Sequence, residues 1–293
     1  MEDSNRKLEE LKHFIKEKGK DGVVIAFSGG VDSSTLAAVT HKVLGEKAMA
    51  AIAQSQTYPS EELRDAKKTA EDIGIKLHVI KTKELLNENF SKNPENRCYY
   101  CKKELLESLI NFAHEIGFKA VFEGTNFTDL NDHRPGLKAV QEAKNVYSPW
   151  LINKFSKDEI RQVAKTIGLS VHNKPALACL ASRIPFNEKI TAEKLNRIEK
   201  AEQAIKATTG VKQIRVRDHN GLARIEVGKT ERALLCNIEI LDKVAEDLKK
   251  LGFKYVTVDL EGYRSGSMLK TLDSTPPKPS LFYNACKDNS STE

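Results

Sequence analysis

The stretch Ala26-Phe27-Ser28-Gly29-Gly30-Val31-Asp32-Ser33-Ser34 decides the fold of this chain. It overlaps the end of an apolar run, residues 23–27, that is typical of a buried parallel strand, and it leads into residues 35–43, where apolar side chains have helical spacing. A strand, a Ser-Gly-Gly turn and a helix together favour phosphate binding, because glycines let backbone amides approach an anion and a helix N-terminus attracts negative charge. Asp32 can hold the metal ion that accompanies a polyphosphate.

The loop differs from the two common phosphate-binding motifs. The chain contains neither G-x-x-x-x-G-K-[ST] nor G-x-G-x-x-G. Residues 28–34 instead resemble the S-G-G-x-D-S loop of the PP-loop ATP pyrophosphatase superfamily. This resemblance implies an enzyme that cleaves ATP to AMP and pyrophosphate while it adenylates a carboxylate or a carbonyl oxygen. It also implies ATP and Mg²⁺ as the ligands of the loop.

The composition is that of a soluble globular protein. Of 293 residues, 40% are hydrophobic and 30% are charged, and the chain is long enough for two domains. No apolar run approaches the length of a membrane span, and residues 1–20 are rich in Lys and Glu, so we expect a cytoplasmic protein without a membrane partner. The net charge of +6 is modest and spread along the chain, which is mostly typical of a solvated surface and only weakly favours phosphate-bearing substrates. We expect no nucleic-acid partner. An odd count of five cysteines argues against a disulfide framework.

Strands alternate with helices in the first two thirds of the chain. Apolar runs predict further strands at residues 47–53, 75–80 and 120–122. The alternation predicts an α/β fold, a doubly wound parallel sheet, over residues 1–190. Ligands bind such a sheet at the carboxyl ends of its strands, where residues 28–34 and the segment Glu123-Gly124-Thr125-Asn126 both fall.

The pattern changes near residue 190. It predicts helices at residues 191–208 and 231–251, and strands at residues 213–217, 222–227 and 255–260. This order predicts a small α+β domain with one antiparallel sheet over residues 191–272. Alternation places Arg215 and Arg217 on the same face of their strand. Residues 273–293, with several prolines and serines, are expected to be a disordered tail.

Two thiol motifs could carry chemistry. Cys98-Tyr99-Tyr100-Cys101 can grip one metal centre, because two intervening residues let both sulfurs face the same point. The pair alone leaves zinc, iron–sulfur, redox and purely structural roles open, although the lack of a second pair argues against zinc. Cys179 lies between prolines, near Lys174 and Arg183, whose charges favour a thiolate. Taken alone, a cysteine among alanines is more often a small buried apolar residue.

Further motifs carry a more specific resemblance. They follow one order over residues 10–270: the loop 28–34, Glu123-Gly124-Thr125-Asn126, Asp132-His133-Arg134-Pro135-Gly136, Lys174-Pro175 followed by Cys179-Leu180-Ala181-Ser182-Arg183-Ile184-Pro185, Arg215-Val216-Arg217 and Gly262-Tyr263-Arg264. Together they resemble the LarE family, ATP-dependent sulfur transferases that make the nickel-pincer nucleotide cofactor of lactate racemase. The resemblance implies that ATP adenylates a carboxylate of pyridinium-3,5-biscarboxylic acid mononucleotide. Sulfur then displaces AMP to give a thiocarboxylate.

That family obtains its sulfur in two ways. One version sacrifices the sulfur of the cysteine that matches Cys179 and leaves dehydroalanine. The other version holds a [4Fe–4S] cluster on cysteines that match Cys98, Cys101 and Cys179, and its fourth iron is free to bind sulfide from a sulfur donor. Because this chain has all three cysteines, we favour the cluster version.

The resemblance also suggests the remaining site residues. Guanidinium groups suit a substrate with a phosphate and two carboxylates, and the candidates are Arg183, Arg215, Arg217 and Arg264. A solvated strand face is the alternative interpretation of the two arginines on that strand. Glu123 follows a predicted strand and, with Asp32, is a candidate ligand of Mg²⁺.

Three other functions stay open. A cluster-dependent tRNA thiolation enzyme would be expected to have a broad basic surface and further C-x-x-C pairs, neither of which the sequence contains. A glutamine-dependent amidating ligase would leave the three cysteines unexplained. The C-terminal α+β unit could instead be a binding or oligomerisation module without a part in the chemistry. We expect a homo-oligomer.

Overall fold

Five parallel strands form the central sheet of the computed structural model, which describes residues 2–131, 134–175, 178–264 and 266–268. The strands are β1 (Val23–Ala26), β2 (Ala48–Gln54), β3 (Leu77–Lys81), β4 (Ala120–Phe122) and β5 (Val146–Tyr147). They lie in the order β3-β2-β1-β4-β5, and each neighbouring pair is parallel. Four of these strands were predicted to within two residues at either end, whereas the two-residue β5 is too short to show a pattern in the sequence.

The helices of the described residues vary from one turn to five. They are α1 (Glu2–Lys18), α2 (Val31–Leu44), α3 (Ser60–Ile73), α4 (Glu88–Ser91), α5 (Arg97–Glu115), α6 (Gly136–Glu142), α7 (Pro149–Ile152), α8 (Lys157–Thr166), α9 (Ala192–Thr209) and α10 (Ile238–Lys250). None of those that the described ranges contain is both long enough and apolar enough to cross a membrane.

Helices cover both faces of the central sheet. On one face, Val23 and Ile25 of β1 pack in a cluster with Leu36 of α2. On the other face, Val24 packs in a cluster with Leu106 of α5. Because successive side chains of a strand point to opposite faces, an unbroken apolar strand needs a helix on each side. The predicted doubly wound parallel sheet is therefore confirmed.

The order of the strands reverses beside β1. The chain runs outward from β1 to β2 and β3, and then returns to place β4 and β5 on the other side of β1. The loops that follow β1 and β4 therefore leave the same edge of the sheet in opposite directions. A crevice at such a switch point is where open α/β sheets bind their ligands.

A second sheet has three strands in the order β6-β7-β8, with β6 at Ile214–His219, β7 at Leu222–Val227 and β8 at Tyr255–Val258. The first two strands form an antiparallel hairpin, in which Asn220 and Gly221 both have positive φ. The third strand pairs parallel to β7. The prediction of one antiparallel sheet was thus wrong for β8, because α10 connects the two strands and carries the chain back to its starting edge.

The helix predicted at residues 231–251 is interrupted. Its first part is a 3₁₀ turn at Arg232–Leu235, and α10 begins only at Ile238. Asn237 caps α10, since its side chain accepts a hydrogen bond of 3.2 Å from the Ile240 amide. An asparagine side chain that bonds to its own backbone competes with helix continuation, which explains the break.

Direct contacts cross the domain boundary that the sequence predicts near residue 190. Glu199 of α9 accepts two hydrogen bonds of 2.7 Å, from the backbone amide and the hydroxyl of Ser60 at the start of α3. Lys206 of α9 pairs with Glu61 at 2.8 Å. Helix α9, which packs on β6 of the second sheet, is therefore held against α3, the helix that follows β2. The predicted tail at residues 273–293 lies outside the described residues.

Candidate active site

The loop at Ser28–Ser34 closes on itself through one hydroxyl. The Oγ atom of Ser33 accepts a hydrogen bond of 3.1 Å from the Ser28 amide and lies 3.0 Å from the Ser28 Oγ. It also donates to the Gly30 carbonyl at 3.2 Å. Gly30, the residue before α2, provides no side-chain cap for the helix. The loop thus holds its shape without a side chain over the helix N-terminus, which suits the binding of a phosphate there.

Gly29 is fixed in a conformation that favours glycine. Its φ is +64°, and a Cβ atom at this position would lie 2.6 Å from the Cβ of Ala66 on α3. Both the backbone conformation and the close approach of α3 therefore exclude a side chain.

We expect Gly29→Ala to destabilise the fold by about 1–3 kcal/mol and to weaken ATP binding, because α3 or the loop must move. The matched control is Gly45→Ala, at the C-terminal end of α2, where φ is +56° and nothing lies within 4 Å of the added atom. The control carries the backbone strain without the collision. Thermal unfolding and ATP titration of both variants measure the difference, and equal losses in the two would contradict a role for contact with α3.

Asp32 joins the loops that follow β1 and β4. Its carboxylate accepts a hydrogen bond of 3.3 Å from the side-chain amide of Asn126 and forms an ion pair with Lys157 of α8. Gly124 lies so close that a Cβ atom there would be 3.3 Å from the Cβ of Asp32. The structure thus brings together the predicted residues of both loops. Lys157 was not predicted, since nothing in the sequence distinguishes it from the other lysines on helices.

Glu123 is buried beneath the second loop. Its carboxylate accepts hydrogen bonds from Lys102 Nζ at 2.9 Å, from the amide and hydroxyl of Thr125 at 3.1 and 2.8 Å, and from the Ser148 hydroxyl. Burial alone would raise the pKa of Glu123, but the charge of Lys102 and these hydrogen bonds hold the pKa below its usual value. The ionised side chain fixes the turn at Gly124–Asn126. Its role as a ligand of Mg²⁺ stays a prediction.

The segment that carries Cys179 is pinned by its backbone. The amide of Leu180 donates a hydrogen bond of 2.8 Å to the carbonyl of Thr57, which follows β2. Arg183 donates to the carbonyls of Ala178 and Cys179 at 2.7 and 2.9 Å. The same guanidinium forms a bidentate pair with Glu202 of α9, at 2.9 and 3.0 Å. Cys179 itself is exposed, so a fixed backbone presents an accessible thiol.

The structure places two of the three predicted cysteines on α5 and the third, Cys179, directly before the turn at Leu180–Arg183. Cys98 and Cys101 are in the first turn and a half of α5, and Cys101 packs against the cluster that contains Leu180. Burial raises the pKa of the Cys101 thiol, and the charge of Cys179 raises it further. Desolvation and then the charge of Cys179 raise the pKa of the Cys98 thiol in the same way. Among the described residues, no three His, Cys, Asp or Glu side chains are grouped so as to hold a single metal ion.

The predicted arginines have different surroundings. Arg217 is buried and donates to one oxygen of Glu226 at 2.6 and 3.1 Å, and to the carbonyl of Ser182 at 3.0 Å. Arg215 lies over the ring of Tyr263, with 5.4 Å between the guanidinium carbon and the ring centroid. Burial, and next the charge of Arg183, lower the pKa of Arg215. Arg183 and Arg217 thus both contact the turn that follows Cys179, and each is paired with a buried glutamate.

Arg264 follows β8 and pairs with Asp259 at 3.3 Å. Asp259 also accepts a hydrogen bond of 2.6 Å from Arg224.

Two motif residues, Asp132 and His133, lie outside the described residues.

A parallel sheet that carries an S-G-G-x-D-S loop at its switch point defines an ATP-dependent enzyme of the PP-loop ATP pyrophosphatase superfamily, and the NAD synthase family model matches residues 4–111. A pyridinium-3,5-bisthiocarboxylic acid mononucleotide synthase from Lactiplantibacillus plantarum is 35% identical over 251 residues, which are 85% of this chain and 90% of that protein. The chain therefore belongs to the family of that synthase, the LarE family.

Two other relatives show how far the similarity extends. An uncharacterized protein from Synechocystis sp. is 42% identical over 91% of this chain and 98% of its own length. An NH₃-dependent NAD⁺ synthetase from Pyrococcus horikoshii is 29% identical over 57% of this chain and 65% of its own length. The similarity to the NAD⁺ synthetase thus covers a smaller part of the chain than the similarity to the synthase.

Proposed function

We propose that this chain is an ATP-dependent sulfurtransferase that acts on pyridinium-3,5-biscarboxylic acid mononucleotide. A carboxylate oxygen of the substrate attacks the α-phosphorus of ATP and pyrophosphate leaves. Sulfur then attacks the acyl carbon and displaces AMP, which leaves a thiocarboxylate. The observation that carries this proposal is the hydrogen bond of 2.8 Å from Leu180 to Thr57, because it ties the Cys179 segment to the edge of the sheet that bears the nucleotide loop.

The adenylation step depends on charge neutralisation, because the attacking carboxylate is already an anion. The amides of the Ser28–Ser34 loop and the start of α2 would bind the leaving pyrophosphate. Asp32, a partly exposed oxygen ligand, fits Mg²⁺, and that ion would neutralise the polyphosphate. Glu123 fits it less well, since its two oxygens already accept four hydrogen bonds. Lys157 would add a fixed positive charge.

For the second step we propose that Cys98, Cys101 and Cys179 hold a [4Fe–4S] cluster. The packing of Cys101 against the apolar cluster that contains Leu180, the residue after Cys179, supports this. Cluster thiolates bind different irons and are spaced more widely than the ligands of one ion, so the lack of a compact single-ion group in the described residues does not conflict with it. The cluster would supply a fourth iron that can bind sulfide. Because Cys179 is exposed, the side of the cluster next to Cys179 would be accessible to sulfide from solvent.

The substrate would bind between the thiols and the small sheet. Arg215 is the best placed of the candidate arginines, because Arg183 and Arg217 are already paired with buried glutamates. Those two would still contribute positive potential toward a phosphate or a carboxylate.

The apolar core of the small sheet forms a cluster of its own, which supports a second domain at residues 191–272.

The ATP half of the proposal is tested by Asp32→Ala. We expect pyrophosphate release to fall by on the order of 10²–10³-fold, because the loop loses its metal-binding carboxylate. The assay couples pyrophosphate to a colorimetric readout, with and without Mg²⁺ and the pyridinium substrate. Asp158→Ala is the matched control, since it removes an exposed carboxylate beside Lys157 and leaves the loop intact. Formation of ADP and phosphate in place of AMP and pyrophosphate would overturn the assignment.

A further inference from the structure

The segment that leads to Cys98 and the segment that follows Cys179 are hydrogen-bonded to each other at residues that are not themselves cysteines. Residues 91–97 precede Cys98, and residues 184–190 follow the turn after Cys179. Backbone hydrogen bonds connect them, from Asn187 N to the Asn93 carbonyl at 2.9 Å and from Ile190 N to the Ser91 carbonyl at 2.8 Å. The two segments that carry the cysteines are therefore joined by their backbones at a junction that contains no cysteine.

Asn93 is at the centre of that junction and is completely buried. Its side-chain amide donates to the carbonyls of Pro185 at 2.6 Å and Ile184 at 3.3 Å. Its side-chain oxygen accepts a hydrogen bond of 2.8 Å from Arg97. Its φ is +58°, a conformation that asparagine tolerates better than most residues. Asn93 thus has a positive φ, and its side chain also bonds to both segments: it donates to the carbonyls of residues 184 and 185 and accepts from Arg97.

Arg97 connects Asn93 to α5, the helix that carries Cys98 and Cys101. It is the first residue of α5 and directly precedes Cys98. Its buried guanidinium lies 4.5 Å from the centroid of the Phe186 ring, in the segment that Asn93 also holds. The first turn of α5 is consequently fixed against residues 184–187 from two sides.

We propose that Asn93 is a positioning residue that sets the separation between the thiols of α5 and the thiol of Cys179. The proposal rests on the proposed function, in which those thiols act together. It assigns to Asn93 no contact with substrate, ATP or sulfur. Its hydrogen bonds to the Ile184 and Pro185 carbonyls hold the Cys179 segment where the α5 cysteines can share a centre with it.

The test measures thiol proximity by cross-linking. The reduced, iron-free protein, with Cys236→Ser and Cys286→Ser so that only the three thiols react, is treated with dibromobimane, and the cross-linked peptides are quantified by mass spectrometry. We expect Asn93→Gly, which keeps the backbone angle and removes the side chain, to lower the yield of cross-links between α5 and Cys179 about tenfold, because three buried hydrogen bonds are lost, two of them to the Cys179 segment. The local Cys98–Cys101 cross-link and pyrophosphate release should stay within about twofold.

Two further variants keep the test decisive. Asn93→Asp retains the shape and the acceptor for Arg97 but lacks the donors, so it should lower the same cross-link even if the glycine variant fails to fold. Asn145→Gly replaces another asparagine of positive φ, in the exposed loop before β5, and should change nothing. Wild-type cross-link yields in both Asn93 variants would overturn the proposal, and so would a parallel loss of the Cys98–Cys101 cross-link and of pyrophosphate release. Failure of the wild type to bind iron under anaerobic reconstitution would count against the proposed cluster alone.

Discussion

Cys179→Ala is expected to abolish thiocarboxylate formation, by on the order of 10³-fold or more, because it removes a thiol that the proposed function places in sulfur transfer. Pyrophosphate release should stay within about twofold of wild type, since the proposed function assigns adenylation to the Ser28–Ser34 loop and the mutated side chain is exposed. The Cys179 backbone is held through carbonyl groups, so the substitution should leave the segment in place. Single-turnover assays that follow AMP, pyrophosphate and thiocarboxylate separately measure the two steps.

The matched control is Cys236→Ala, which removes an exposed thiol outside the cluster of three and should leave both steps unchanged. Cys98→Ala and Cys101→Ala decide between the two sources of sulfur. With a shared cluster, each should lose iron and sulfur transfer together. Retained transfer in both variants, with residue 179 converted to dehydroalanine after one turnover, would show that the sacrificial mechanism operates instead.

Arg217→Ala is expected to lower the free energy of unfolding by about 3 kcal/mol, because it leaves the buried carboxylate of Glu226 without its main partner. Arg224 and Ser267 still reach the other oxygen of Glu226, at 2.7 and 3.1 Å, and this keeps the loss at the lower end for a broken buried pair. Urea unfolding measures the effect.

Arg215→Ala provides the contrast to Arg217→Ala. Arg215 lies on the same face of β6 but is only half-buried, so we expect a loss of stability of less than about 1 kcal/mol. Its loss should instead weaken binding of the pyridinium nucleotide by about 1.5–3 kcal/mol, the contribution of a hydrogen bond to a charged group. Equal effects of the two substitutions on stability and on binding would contradict this division of roles.

The fold could be predicted largely because its decisive signals are local. An unbroken apolar strand such as residues 23–26 requires cover on both faces, and the Ser-Gly-Gly turn after it marks the start of a helix. The bounds of β4 and β7 coincide with the predicted ones. The parallel pairing of β8 could not be obtained in this way, since it depends on which edge α10 returns to.

The partners in the site could not be predicted, because they come from distant segments. The sequence identifies Asp32 and Glu123 as acids near a ligand, but their ion pairs with Lys157 and Lys102 exist only once the sheet has formed. The same holds for Arg183 and Arg217. An arginine in a motif is equally consistent with a substrate contact and with an internal pair, and only the positions of Glu202 and Glu226 distinguish the two.

The segment that carries Cys179 is anchored through main-chain carbonyls at positions 57, 178 and 179, and every residue type has that group. The placement of residue 179 is therefore independent of its side chain, as long as Arg183 and Glu202 are kept. A selenocysteine, a serine or a dehydroalanine would occupy the same point in space.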